Sequence, residues 1–124
     1  MPIRTILVVD DSPTERLALM RFLSRHGYQV ITANNGEEAV SISQEALPDL
    51  ILMDVVMPGL NGFQATRAIT RESSTQHIPV ILCSSKNQDT DRIWGMRQGA
   101  CDYLVKPADQ GALLAKIAAL DAAR

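Results

Sequence analysis

Five short runs of β-forming residues recur along the 124-residue chain, and each is followed by a longer stretch with helical spacing. The runs are Ile6 to Val9, Val30 to Thr32, Leu50 to Met53, Val80 to Cys83 and Tyr103 to Val105, and the first, third and fourth are apolar throughout. A strand that is apolar on both faces has to be covered on both, which a parallel sheet flanked by helices achieves. The helical stretches, roughly residues 13 to 26, 36 to 46, 61 to 72, 88 to 98 and 109 to 122, supply that cover. A five-fold βα alternation follows, an α/β chain with a doubly wound parallel sheet.

Local signals place the edges of these elements. Ser12-Pro13-Thr14-Glu15 offers an N-cap serine, a proline at the first helical position and a glutamate three residues after the cap. Gly27 stops that helix, and Leu19, Phe22, Leu23 and His26 share one line of it, with His26 read as packing rather than as a ligand. Asn35-Gly36, Asn61-Gly62 and Gly99 punctuate later boundaries, as do Pro48, Pro58, Pro79 and Pro107.

The length fits one compact domain, and the apolar runs are far too short to span a bilayer. Met1-Pro2-Ile3-Arg4 has no signal-peptide character, so a cytoplasmic protein is expected. A formal net charge of -2 provides no basic field for nucleic acid or a membrane surface. Cys83 and Cys101 lack metal-ligand or redox spacing and read as small core residues of two strands.

Chemistry gathers where the strands end. The first run leads into the adjacent carboxylates Asp10 and Asp11, and the third into Asp54. In an open parallel sheet such groups meet at one edge, so three aspartates from two strands converge there. Burying such charges is costly unless a cation sits among them, and a hard, oxygen-loving dication, above all magnesium, suits the donors. Ser84 and Ser85 follow the fourth run, and Lys106 with Pro107 follows the fifth. A fixed cation, a hydroxyl and a metal around a carboxylate match what a phosphoryl group requires, with Asp54 as the nucleophile toward phosphorus.

Taken together, Val9-Asp10-Asp11, Met53-Asp54 with Met57-Pro58 and Gly62, Ser84, and Lys106-Pro107 resemble the response-regulator receiver domain of the CheY type, over nearly the whole chain. The resemblance implies a flavodoxin-like three-layer sandwich with sheet order 2-1-3-4-5 and a cis Lys106–Pro107 bond. It implies that Asp54 is the phosphoacceptor, that Asp10, Asp11, Asp54 and the carbonyl of Val56 hold Mg2+, and that Ser84 and Lys106 contact the phosphoryl oxygens. Ser84 stands where many members carry threonine. Tyr103 occupies the position of the aromatic that follows the hydroxyl residue inward on switching; the alternative is a half-buried tyrosine with its hydroxyl in water. Val56 and Lys86 stand where members tune hydrolysis of the aspartyl phosphate, and an apolar Val56 implies slow self-hydrolysis.

The family docks partners on the face made by the fourth helix, fifth strand and fifth helix, which would place Arg92, Trp94, Met96 and Arg97 at an interface. An inward-packed Trp94 is the alternative. Asp11 to Glu15, Met57 to Arg67 and Trp94 to Gly99 are similar to small regulators of type IV pilus twitching motility. The expectation is a single receiver domain over residues 1 to 124 without an output domain, monomeric, phosphorylated by a CheA-like histidine kinase and read by a downstream protein target. It would not be an enzyme on any outside substrate. A phosphate sink serving a sister regulator is an open alternative. A haloacid-dehalogenase-like phosphatase fits poorly, since Asp54-Val55-Val56 lacks that family's second aspartate, and a flavodoxin-like electron carrier lacks its phosphate loop.

Overall fold

The computed structural model describes residues 2–123; Met1, the first residue of the N-terminal stretch considered above, lies outside them. Every expected run forms its element. In chain order these are β1 (Thr5–Val9), α1 (Pro13–Arg25), β2 (Gln29–Ala33), α2 (Gly36–Ala46), β3 (Leu50–Asp54), α3 (Gly62–Arg71), β4 (Val80–Ser84), α4 (Asp89–Arg97), β5 (Asp102–Val105) and α5 (Gln110–Ala123). The strands pair in parallel in the order β2-β1-β3-β4-β5.

Strand pleating divides the core in two. Leu7, Val9, Ile51, Met53, Val80, Leu82 and Tyr103 face one layer, where Ala39 of α2 and Ala65 and Ile69 of α3 cover them. Ile6, Val8, Leu50, Leu52, Ile81, Cys83 and Leu104 face the other, under Leu23 of α1 and Leu113 and Ile117 of α5. Every residue of β3 and β4 is buried, which is why those runs show no polar alternation.

Register brings the strand ends level. Val9 pairs with Met53, Asp54 with Cys83, and Ser84 with Val105. Asp10 therefore emerges beside Asp54, and Lys106 emerges beside the end of β4. The Lys106–Pro107 peptide is cis, as the resemblance implied.

Caps follow the sequence signals, with one divergence. Asn61 and Gln64 close a full capping box on α3. On α1 the Ser12 hydroxyl accepts from the Glu15 N–H at 3.3 Å, yet the Ser12 N–H goes to Asp10 Oδ1 at 2.9 Å and not to Glu15. His26 ends α1 exposed to solvent, with its ring 4.6 Å from that of Phe22 and its Nδ1 2.9 Å from the Phe22 carbonyl.

Cys83 is buried in β4, whereas Cys101 is exposed, a correction to its reading as core. The reason is register: Asp102 is the first residue of β5 to pair, so Cys101 lies in the approach to an edge strand. Its backbone N–H still donates to Val80 at 2.8 Å. Among the described residues no helix is long and apolar enough to cross a membrane.

Candidate functional site

At the carboxyl edge of the sheet, Asp10, Asp11 and Asp54 each offer an oxygen within 4.8 Å of the others. Asp10 and Asp54 are buried, with relative exposures of 5% and 8%, while Asp11 faces solvent. Asp10 is fixed from both ends: its carboxylate accepts from the Ser12 N–H, and its carbonyl accepts from Arg16 at 2.7 Å. Lys106 reaches in from the loop after β5. Its Nζ lies 2.9 Å from Asp10, 3.1 Å from Glu15 and 3.3 Å from Asp54.

These neighbours set the proton affinities. Burial, opposed by Lys106 and reinforced by Asp10 and Asp11, pushes Asp54 up to about 6. Burial disfavours the Lys106 ammonium, but Asp10, Asp54 and Glu15 outweigh it and hold the lysine charged above its ordinary range. The result is a reluctant carboxylate beside a committed cation. Both open onto a cleft of about 430 Å³ lined by Asp11, Glu15, Asp54, Val56, Ser85, Lys106 and Pro107.

A second set of bonds runs from this edge toward α4. The side chain of Ser84 is enclosed, and its Oγ accepts the Lys86 N–H at 3.1 Å. The Lys86 carbonyl accepts the Tyr103 hydroxyl at 2.8 Å. The Lys86 backbone thus joins the strand-end hydroxyl to the strand-five aromatic, through its N–H on one side and its carbonyl on the other. Tyr103 is 2% exposed, so the structure holds it inward and its hydroxyl is bonded to protein.

The family model that matches residues 6–118 is the response regulator receiver domain. The chain belongs to the response-regulator receiver family. It is 54% identical over 115 residues to the protein PilH of Pseudomonas aeruginosa, covering 93% of this chain and 95% of PilH. It spans between 25% and 51% of several longer curated regulators that it also matches. Among solved structures, the chemotaxis protein CheY4 of Vibrio cholerae superposes with a TM-score of 0.87 at 32% identity, covering 94% of this chain and 97% of CheY4. The receiver domain of the sensor histidine kinase PA1611 of Pseudomonas aeruginosa, described with a magnesium ion coordinated in its active-site cleft, superposes at 0.85 with 31% identity, covering 92% and 93%. Receivers are signalling domains and not classical enzymes, so the phosphatase and electron-carrier alternatives fall away.

Does this receiver suit magnesium? Among the described residues the clustered donors are carboxylate oxygens only, and the buried Cys83 thiol does not join them. Hard oxygen donors with a surplus of negative charge match a small dication. Magnesium binding is general for receivers, and Asp10, Asp11 and Asp54 are the residues that fit it here.

The remaining expected residues are spread more widely. Val56 is 55% exposed at the lip of the cleft, and the Lys86 side chain points to solvent. Ser85, and not the enclosed Ser84, lines the cleft. On α4 the expected interface set divides. Arg92 turns toward β5, donating to the Tyr103 carbonyl at 3.1 Å, and Arg97 is exposed in the last turn. Trp94, 49% exposed, lines a groove with Asn61, Phe63, Gln64, Arg67 and Gln98 on the α3 side, and Met96 is 43% exposed. Trp94 is therefore no core residue.

Glu15 is the site residue that sequence reasoning passed over, having been taken only as a capping partner. Its position one helical turn beyond the double acid was the available signal. The Lys86 backbone was equally hidden, because a peptide group carries no identity in the sequence.

Proposed function

We propose that this chain is a phosphorylation switch in which Asp54 accepts a phosphoryl group from a histidine kinase of the CheA type. The observation that carries the reading is the buried Asp54 carboxylate facing Lys106 at 3.3 Å at the floor of an open cleft. An Asp54 oxygen forms a bond to phosphorus as the P–N bond to the kinase histidine breaks, leaving its electron pair on the imidazole. Magnesium, when bound, supplies positive charge beside the transferring oxygens. Lys106, permanently charged, supplies the second positive partner from the protein itself.

Readout follows from the Ser84–Lys86–Tyr103 chain. A phosphoryl group that draws the Ser84 O–H toward itself as a donor would re-aim the Oγ that accepts the Lys86 N–H, which disturbs the Lys86 backbone holding Tyr103 and the approach to α4. The surface carrying Arg92, Trp94, Met96 and Arg97 would then be presented differently to a downstream protein. Similarity to PilH supports a motility pathway as the setting. Val56 has no polar side-chain atom with which to orient an attacking water, so the aspartyl phosphate should be long-lived.

Incubation with magnesium and acetyl phosphate, followed by intact mass, tests the assignment. A phosphoryl increment in the wild type that disappears in Asp54→Ala and with chelator supports it. An increment that survives in Asp54→Ala, or none in the wild type, removes it.

A further inference from the structure

We infer that Glu15 is a positioning residue that occupies Lys106 before phosphorylation and is displaced when the phosphoryl group arrives. The inference rests on the assignment of Asp54 as phosphoacceptor. An ammonium has three hydrogens to donate, and Lys106 donates two of them, to Asp10 at 2.9 Å and Glu15 at 3.1 Å, with Asp54 a third carboxylate 3.3 Å away as an ion pair. Two of its donors and most of its charge are thus already engaged. A phosphoryl oxygen on Asp54 competes with these carboxylates for the one cation.

The structure distinguishes the three. Asp54 itself would carry the group. Asp10 is buried and pinned by the Ser12 N–H. The Glu15 side chain is 55% exposed and ends a flexible stem, so returning it to water costs least. A phosphoryl group also brings about 1.5 to 2 negative charges, which repel Glu15 from the cleft it lines.

Glu15 is at Lys106 for a reason visible elsewhere in the chain. It is the third residue after the α1 cap, where Gln64 in α3 returns its side chain to the Asn61 N–H at 2.9 Å. On α1 the matching donor, the Ser12 N–H, is taken by Asp10. Denied its capping partner, Glu15 reaches across to the lysine. The same aspartate that helps build the acid cluster thereby frees a competitor for the cation beside it.

Phosphoryl uptake from acetyl phosphate measures the competition; the reaction forms an O–P bond on Asp54 and breaks the P–O bond to acetate, which leaves with the electron pair. Wild type, Glu15→Gln and Glu15→Asp are compared with saturating magnesium, with urea midpoints to verify folding. Glutamine lacks the charge, and aspartate keeps it on a stem one methylene shorter. Both variants should take up phosphoryl about two- to fivefold faster than wild type, the scale of one exposed ion pair. A crystal structure of the wild type with magnesium and beryllofluoride, a stable stand-in for the phosphoryl group, should show Glu15 withdrawn from Lys106. Variants no faster than a wild type that is itself phosphorylated overturn the role of Glu15 and leave that of Asp54 intact, as does a beryllofluoride structure with the Glu15–Lys106 pair preserved. A wild type that takes up no phosphoryl group overturns both.

Discussion

Helices α3 and α4 cover the same face of the sheet, yet they are attached to it in different ways. The α3 helix buries Gly62, Ala65, Thr66 and Ile69 and starts in a full capping box. The α4 helix buries only Gly95 and leaves Ile93, Trp94 and Met96 exposed. At its inward position α4 thus has a residue with no side chain to bury. Close approach to Leu82, Phe63 and Tyr103 replaces apolar area, and the helix is held by few buried contacts. A helix attached so lightly can shift at small cost, and it is the one next to the Ser84–Lys86–Tyr103 chain. Its neighbour α3, whose first N–H bonds to the Val55 carbonyl at 2.9 Å, is tied to the strand end that carries Asp54.

Substituting alanine for the inward glycine of each helix is the severest way to break this contrast. A Cβ at Gly62 would collide with the backbone carbonyl of Asp54 and lie 2.7 Å from the Val55 Cα, and neither backbone group can step aside. Gly62→Ala should cost about 3 kcal/mol in urea denaturation and impair phosphorylation at Asp54. At Gly95 the nearest atom is the end of the Leu82 side chain, at 2.6 Å, which can rotate, and alanine is the better helix former. Gly95→Ala should cost no more than about 1 kcal/mol and leave phosphoryl uptake unaffected. Equal losses at the two sites would mean that α4 is as rigidly seated as α3.

The same contrast explains what the sequence made legible. Apolar runs that end in charge reported β1 and β3 together with Asp10 and Asp54, because burial on both faces removes polar residues until the strand leaves the core, whereas the edge strand β5, with Val105 exposed, was marked by Lys106 and Pro107 at its end. Gly95 leaves α4 with almost no apolar stripe, so nothing in its sequence told which side Trp94 would take. Ser84 and Ser85 are adjacent hydroxyls, and only the pairing of Ser84 with Val105 separates the enclosed one from the one lining the cleft. Glu15 was invisible for another reason. Its direction depends on Asp10 winning a single backbone donor, a competition settled by three-dimensional geometry.

The charge at the α3 end provides a second, smaller test. Folding raises the Asp54 carboxyl from its ordinary 3.8 to about 6, mainly through burial, so the folded state binds this proton more tightly than the unfolded chain does. Stability from this group is fully present below pH 4 and is lost as pH rises to 6 and above. Without magnesium, Asp54→Asn should therefore be more stable than wild type at pH 7.5, by about 2 kcal/mol, and the gain should vanish near pH 4. Thermal unfolding across that range checks the sign. An asparagine variant less stable at pH 7.5 would mean that Lys106 more than offsets the burial of the charge.

The smallest effect belongs to the α4 side. Tyr103→Phe keeps the ring in its place in the core and removes only the hydroxyl that donates to the Lys86 carbonyl at 2.8 Å. One part-buried hydrogen bond is worth about 1 kcal/mol, so the loss of global stability should be of that order. The local consequence should be larger than the global one. With its carbonyl partner gone, the Lys86 backbone keeps its N–H bond to Ser84 but is released toward α4, and amide exchange over residues 86 to 97 should accelerate while that of α3 stays unchanged. Exchange that rises equally in both helices would show that Tyr103 acts on the core as a whole and that the path from Ser84 to α4 does not run through the Lys86 peptide.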